Sequence, residues 1–306
     1  MAIPSSSTDS SKKYSLFFVI SIIVFTLCTE FFLRSVVVKL ERSTPKLIDL
    51  VYTSKLKNVV VGDSQMYRAF IAGTNYVNLA RRGNPLPAVE IVLKNYLHNK
   101  KPEKVIIQAS PQLFATPQLK RNTQRYDMYF NINTLPIKPY MFERGITEFL
   151  SSIKSIKQIL KVYNSKSDED LKANSEKWLS LSLQEREERT LSRVIHHIPE
   201  MNSSESIRFQ AVYLRIIEFL LSKGASVCMV TPPVTETYLK YSNRYEQFKT
   251  AMSFFDEVSQ AYNIKLIKQQ HIDIKFPDSV FINQDHLAPI VSKQFSSSVF
   301  KACFNE

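Results

Sequence analysis

The sequence predicts an α/β protein built on a doubly wound parallel sheet. Three observations lead there. Val59-Val60-Val61, Val105-Ile106-Ile107 and the stretch Ser226–Val230 are continuous apolar runs, the pattern of strands covered on both faces. Between them lie segments with apolar residues at helical spacing, so strand and helix alternate. Only 5 glycines occur and no fixed-period repeat is visible, which argues against propellers, solenoids and Gly-rich nucleotide loops.

The chain of 306 residues, 44% hydrophobic, is long enough for a sizeable core. Its amino end comes first. A Ser-rich stretch and Lys12-Lys13 precede residues 14–33, whose only charge is Glu30, and that length matches the hydrocarbon thickness of a bilayer. A cleaved signal peptide would need an A-x-A-like site, which is missing, and residues 25–28 make a poor lipoprotein box. A buried globular helix would not be apolar on every face, as 16–27 is apart from Ser21 and Thr26. We therefore expect a cytoplasmic tail at 1–13, one uncleaved anchor at 14–33, a juxtamembrane linker at 34–56 and an extracytoplasmic domain at 57–306. Lys12 and Lys13 give that orientation, although Arg34, Lys39, Arg42 and Lys46 dilute the charge asymmetry.

Within the domain the order is strand 59–61, strand 76–80, a turn at 81–85, helix Leu86–Tyr96, then a buried strand at 104–109 after Pro102. Residues 113–206 contain no convincing buried strand and read as a helical insertion. In it, 144–162 carries one apolar face, and 184–189 is a solvated charged run. The alternation resumes with a helix at 207–222, strand Ser226–Val230, a helix at 245–262, a strand at 264–267 and a closing helix at 289–300. Cys28, Cys228 and Cys303 neither imply a disulfide framework nor exclude one bridge between the last two.

The net charge of +12 calls for an anionic neighbour: nucleic acid, phospholipid headgroups or an acidic polymer. No zinc-type spacing, helix-turn-helix or RNA-binding signature is present, so nucleic acid is the weakest of the three and no metal or cofactor is called for.

The chemistry concentrates at Gly62-Asp63-Ser64, where the first apolar run stops, and at Asn283-Gln284-Asp285-His286-Leu287. A serine directly after a buried strand sits at the carboxyl edge of a parallel sheet, and it becomes a nucleophile only when a base takes its proton. His286 is the candidate base. The backbone N–H of Ser64 and that of Gly83, at the neighbouring strand end, are candidate oxyanion donors. Asp63 fits the role of fixing the turn. Arg81 and Arg82 would line the same edge, either simply solvated or gripping an anionic substrate. Tyr126, Tyr129, Phe130 and Tyr140 could wall a sugar site, but packing of the insertion explains them as well. His196 and His197 read as a surface pair, and His98 and His271 lack ligand spacing.

These residues resemble the SGNH hydrolases, or GDSL esterases: Gly62-Asp63-Ser64 matches the first family block, Gly83 the second and Asp285-His286 the region of the last. The resemblance spans 58–114 and 226–300. It implies a flavodoxin-like fold with Ser64 as the acyl-accepting nucleophile, His286 as general base, and the amides of Ser64 and Gly83 in the oxyanion hole. Two departures stand out. The third block's asparagine is missing from Gln108-Ala109-Ser110-Pro111-Gln112, so Ser110 or Gln112 would have to donate. The usual acid position, three residues before the histidine, holds Asn283, and an adjacent residue such as Asp285 ordinarily points elsewhere. A Ser–His dyad, a relocated acid and a dead site all stay open here. Anchored relatives imply an O-acyl, chiefly O-acetyl, esterase or transferase acting on an envelope polysaccharide at the membrane surface, beside a multi-spanning acyltransferase. The other readings are a catalytically impaired glycan-binding or scaffolding module and a membrane-surface lipid esterase.

Overall fold

The computed structural model describes residues 8–32, 47, 50–51, 53–71, 75–121 and 176–305. By its contacts the chain divides into two compact units, one of residues 1–46 and 134–164, the other of 47–133 and 165–306. In the first, helix α1 (Thr8–Phe32) is formed, and its apolar side chains from Tyr14 to Leu27 are largely exposed. No helix among the described residues is long and apolar enough to cross a membrane. The side chains described in α1 end at Cys28, before the expected span 14–33 does.

The second unit is α/β. Strands β1 (Val59–Val61), β2 (Val77–Asn78), β3 (Lys104–Gln108), β4 (Ser226–Val230) and β5 (Lys265–Ile267) form one sheet in the order β2-β1-β3-β4-β5, parallel throughout. Helix α2 (Ser64–Ala69) follows β1, and α3 (Leu86–Tyr96) joins β2 to β3. Next come the short α4 (Thr116–Leu119), then α5 (Leu183–His196) and α6 (Ser204–Ser222) before β4. Helices α7 (Glu236–Ser242) and α8 (Glu246–Ala261) precede β5. A hairpin of β6 (Phe281–Asn283) and β7 (His286–Leu287) leads into α9 (Pro289–Phe304).

Successive strand residues feed two cores, as the pleat demands. Val59, Val61, Val105, Ile107 and Met229 pack with apolar residues of α3, α6 and α8. Val60, Ile106, Cys228 and Val230 pack with Met66, Phe70, Phe295 and Val299, on the side of α2 and α9. Helices thus cover both faces, which is why these strands are apolar without alternation. A disulfide joins Cys228 of β4 to Cys303 of α9, with Cα atoms 5.8 Å apart, while Cys28 is free.

The chain leaves β1 for the edge strand β2 and then crosses back to β3 on the other side of β1. The carboxyl end of β1 is therefore the point where strand order reverses, and a crevice opens there in open parallel sheets. Ser64 occupies that end.

Several sequence expectations shift. Strand 76–80 shortens to Val77–Asn78, helix 207–222 starts at Ser204, where Ser203 caps the amide of Ser206, and the closing helix runs on to Phe304. Hairpin β6–β7 and helix α7 were not expected. Residues 144–162 and the aromatics Tyr126, Tyr129, Phe130 and Tyr140 lie outside the described residues.

Candidate functional site

Gly62 lets β1 end where it does. Its φ is +152°, and a Cβ there would sit 2.4 Å from Gln108 Oε1 and 2.6 Å from Met66 Cγ, so a side chain would push the elbow off β3. Asp63 then caps α2. Its Oδ1 accepts from the Gln65 amide at 2.8 Å, and Gln118 Nε2 reaches Oδ2 at 3.3 Å. Burial pushes the Asp63 carboxyl up, against the backbone hydrogen bond from Gln65. The role expected for Asp63, fixing the turn, matches this geometry.

Ser64 is the first residue of α2, so its N–H has no partner within the helix. Its Oγ lies 2.9 Å from His286 Nε2. On the other side of the ring, His286 Nδ1 is 2.9 Å from Asn283 Oδ1 and 3.0 Å from Asp285 Oδ1. Both candidate partners therefore reach the imidazole, because Asn283 directly precedes the two-residue turn Gln284-Asp285 and Asp285 belongs to it. Asn283 pairs with His286 across the β6–β7 hairpin, and Asn283 Oδ1 also accepts from the Asp285 amide at 3.1 Å. That local bond folds the turn over and brings Asp285 alongside the ring, against the expectation that an adjacent side chain points away.

Asp285 is 1% exposed and accepts at Oδ2 from Arg193 Nε at 3.1 Å, with Arg193 Nη2 also 3.1 Å away. Burial alone would raise its pKa. The His286 ring, its hydrogen bond and the Arg193 guanidinium outweigh burial and hold the carboxyl well below the usual carboxylate range. The site thus keeps an ionised carboxylate against Nδ1. Arg193 was not foreseen, since nothing in the run of α5 marks one arginine as special.

The surface reading of His197 is corrected. It is 9% exposed, and its Nδ1 lies 2.9 Å from Tyr238 Oη and 3.9 Å from Asp285 Oδ2. Burial pushes its pKa down to about 3; the Asp285 charge opposes this, while Arg193, His196 and His286 add to it. The unfolded ring takes a proton near pH 6.5 and the folded ring does not until about 3, so stability is lost as pH falls through that window. Each pH unit there costs at most about 1.4 kcal/mol. Urea titrations at pH 7 and pH 5 should show a drop of about 2 kcal/mol that is largely missing in His197→Gln.

Gly83 has φ +69° and lies beside Arg121, whose Nη1 would be 1.4 Å from a Cβ at that position. Only glycine allows the guanidinium to lie over this turn. Neither the Gly83 N–H nor the Ser64 N–H has an acceptor among the described residues, so both are available to an oxyanion. Ser110 is placed differently from expectation: it is 1% exposed, its Oγ is 3.5 Å from Gln65 Oε1, and it lines neither cavity around Ser64. Gln112 does line the smaller one, with its amide donated to Gln65 Oε1. The amide orientations follow from one bond. Gln108 Oε1 accepts from the Asp63 N–H at 2.7 Å, so Gln108 Nε2 faces Gln65 Oε1, and Gln65 Nε2 is left buried without a partner among the described residues. Gln65 also lines that cavity of about 50 Å³.

Arg81 does not line the site as expected. It is 6% exposed, Nη1 donates to the carbonyls of Asn78 and Ala80, and the guanidinium lies 5.4 Å from the Tyr67 ring centre. Arg82 does line the larger cavity, about 540 Å³, with Ser64, Gly83 and His286. No cluster of His, Cys, Asp and Glu that could hold a metal occurs among the described residues. No protein-family model matches the chain, and no curated protein matches it either.

Proposed function

We propose that this chain is an SGNH-like serine esterase or O-acyltransferase, anchored by residues 14–33, that acts on O-acyl, chiefly O-acetyl, groups of an envelope glycan outside the cytoplasm. The observation that carries the reading is the 2.9 Å contact between Ser64 Oγ and His286 Nε2, with the Asp285 carboxyl 3.0 Å from the far ring nitrogen. In this mechanism Ser64 Oγ attacks the acyl carbonyl carbon as its proton passes to His286 Nε2. Asp285 steadies the imidazolium through Nδ1–H. The carbonyl oxygen becomes an oxyanion and accepts from the amides of Ser64 and Gly83, each donor being worth about 3 kcal/mol. Collapse breaks the ester bond, His286 returns the proton to the departing group, the sugar oxygen in the esterase and the acyl donor in the transferase, and the acyl group stays on Ser64. Water then releases it in the esterase, or an acceptor hydroxyl takes it in the transferase. A multi-spanning acyltransferase beside the anchor would supply the acyl group in the second case.

The fold supports the reading in one more way. The order β2-β1-β3-β4-β5 is the flavodoxin-like one that the SGNH resemblance implies. The competing reading, an impaired glycan-binding module, rests on Asn283 at the acid position and on the missing third-block asparagine; Asp285 at 3.0 Å from the ring weighs against the first of these alone. A fluorophosphonate probe tests the proposal. Wild-type protein should label at Ser64 and hydrolyse p-nitrophenyl acetate, and Ser64→Ala should do neither. Full activity in Ser64→Ala, or an unlabelled wild type, would sink the reading.

A further inference from the structure

The walls of the 540 Å³ cavity around Ser64 and His286 carry Arg68, Arg82, Arg121, Lys177 and Arg189, and no Asp or Glu among the described residues lines it. The cations come from separate parts of the second unit. Arg68 ends α2, Arg82 and Arg121 flank the Gly83 turn, Lys177 precedes Trp178, and Arg189 projects from α5. None of these five side chains makes an ion pair with a carboxylate among the described residues. Gathering like charges around one cavity is unfavourable unless an anion shares it. The two buried carboxylates near the catalytic pair are engaged elsewhere and do not line this cavity: Asp63 accepts from the Gln65 amide and Gln118, and Asp285 is held by Arg193 and the His286 ring.

A second observation points to a ligand. Trp178 lines the same cavity, is 4% exposed, and its indole Nε1 is buried without a hydrogen-bond partner among the described residues. An indole in the wall, beside several guanidinium groups, suits a sugar carrying an acidic group. A lipid chain would need a long apolar groove, whereas the apolar lining among the described residues amounts to Trp178, Leu181 and Ile282.

Resting on the esterase or transferase reading of Ser64, we propose that the glycan it acts on is acidic. The sugar bearing the acyl group, or its neighbour, holds a carboxylate or phosphate against Arg82, Arg121 and Lys177 while the ester carbonyl meets Ser64. The anion is an anchor, and catalysis stays with Ser64 and His286.

The test measures binding, so it is independent of turnover. Full-length protein in detergent is titrated by calorimetry with trigalacturonate, with a maltotriose phosphate, with neutral maltotriose, and with monomeric dihexanoyl-phosphatidylglycerol. Trp178 is the single tryptophan, so its emission reports whether the ligand sits in this cavity. We expect one acidic trisaccharide to bind at least about tenfold more tightly than the neutral one in low salt, with the gap closing in 0.5 M salt. The carboxylate and phosphate arms identify which anion is preferred. Arg82→Gln/Lys177→Gln should remove most of the preference, and Lys301→Gln on α9 should not. Equal affinity for acidic and neutral sugars, a preference that survives the double substitution, or binding of the short lipid alone would overturn the proposal. If the fluorophosphonate labels Ser64 yet acidic sugars gain nothing, only this inference falls. If labelling fails while the preference holds, the anion site stands and the enzyme reading falls.

Discussion

Asp285→Asn is expected to lower kcat for p-nitrophenyl acetate hydrolysis by about 10³–10⁴, while Asn283→Ala lowers it by less than about tenfold. Both side chains touch His286 Nδ1, at 3.0 and 2.9 Å, so distance does not separate them. Charge does. The proton that His286 takes from Ser64 makes the ring an imidazolium, and a buried carboxylate stabilises that cation far more than an amide oxygen does. Arg193 occupies Oδ2 of Asp285 and so turns Oδ1 to the ring. Asparagine at 285 would keep the shape while losing the charge, and its NH₂ could face the ring and hold the wrong tautomer. Asn283 serves chiefly the turn, through the amide of Asp285. Initial rates on the two purified variants decide the matter, with circular dichroism showing that both are folded. Similar losses in both would mean that the amide, not the carboxylate, orients the ring.

The sequence carried the sheet well because burial on both faces leaves a plain mark. Strand β1 and strand β4 were legible to the residue from Val59-Val60-Val61 and 226–230. Ser64 and His286 were also legible, as a hydroxyl at a strand end and a histidine near the other end of the domain, and the structure brings them to 2.9 Å. Long-range partners left no such mark. His197, just past the end of α5, looks like half of a surface pair, yet it lies against Tyr238 and Asp285 from distant segments. Arg81 and Arg82 are indistinguishable as neighbours of Gly83. Arg81 turns inward to the carbonyls of Asn78 and Ala80, and Arg82 lines the cavity. The hairpin at 281–287 escaped notice because its strands are short and its turn, Gln284-Asp285, lacks the glycine that signals a tight hairpin. Trp178 and Lys177 sit in a polar stretch with no periodic pattern, so nothing in the chain singled them out as a wall of the site.

Breaking the Cys228–Cys303 bridge should cost the second unit about 4 kcal/mol. The two cysteines are 75 residues apart in sequence, and a crosslink closing a loop of that size removes substantial entropy from the unfolded chain. Both are buried, and the bond ties β4, an interior strand of the sheet, to α9, the helix that follows the His286 hairpin. Cys228→Ala/Cys303→Ala should therefore lower the urea midpoint, and reductant should lower that of the wild type by a similar amount while leaving the double variant unmoved. The prediction bears on where the protein works. A disulfide persists in an oxidising compartment and is rare in a reducing one, so the bridge bears on the proposed extracytoplasmic placement. A loss below about 1 kcal/mol would mean that Phe295, Val299 and Ile106 hold α9 to the sheet by packing alone. The domain would then be as stable in a reducing compartment as outside it, and the argument from the bridge to localisation would fail.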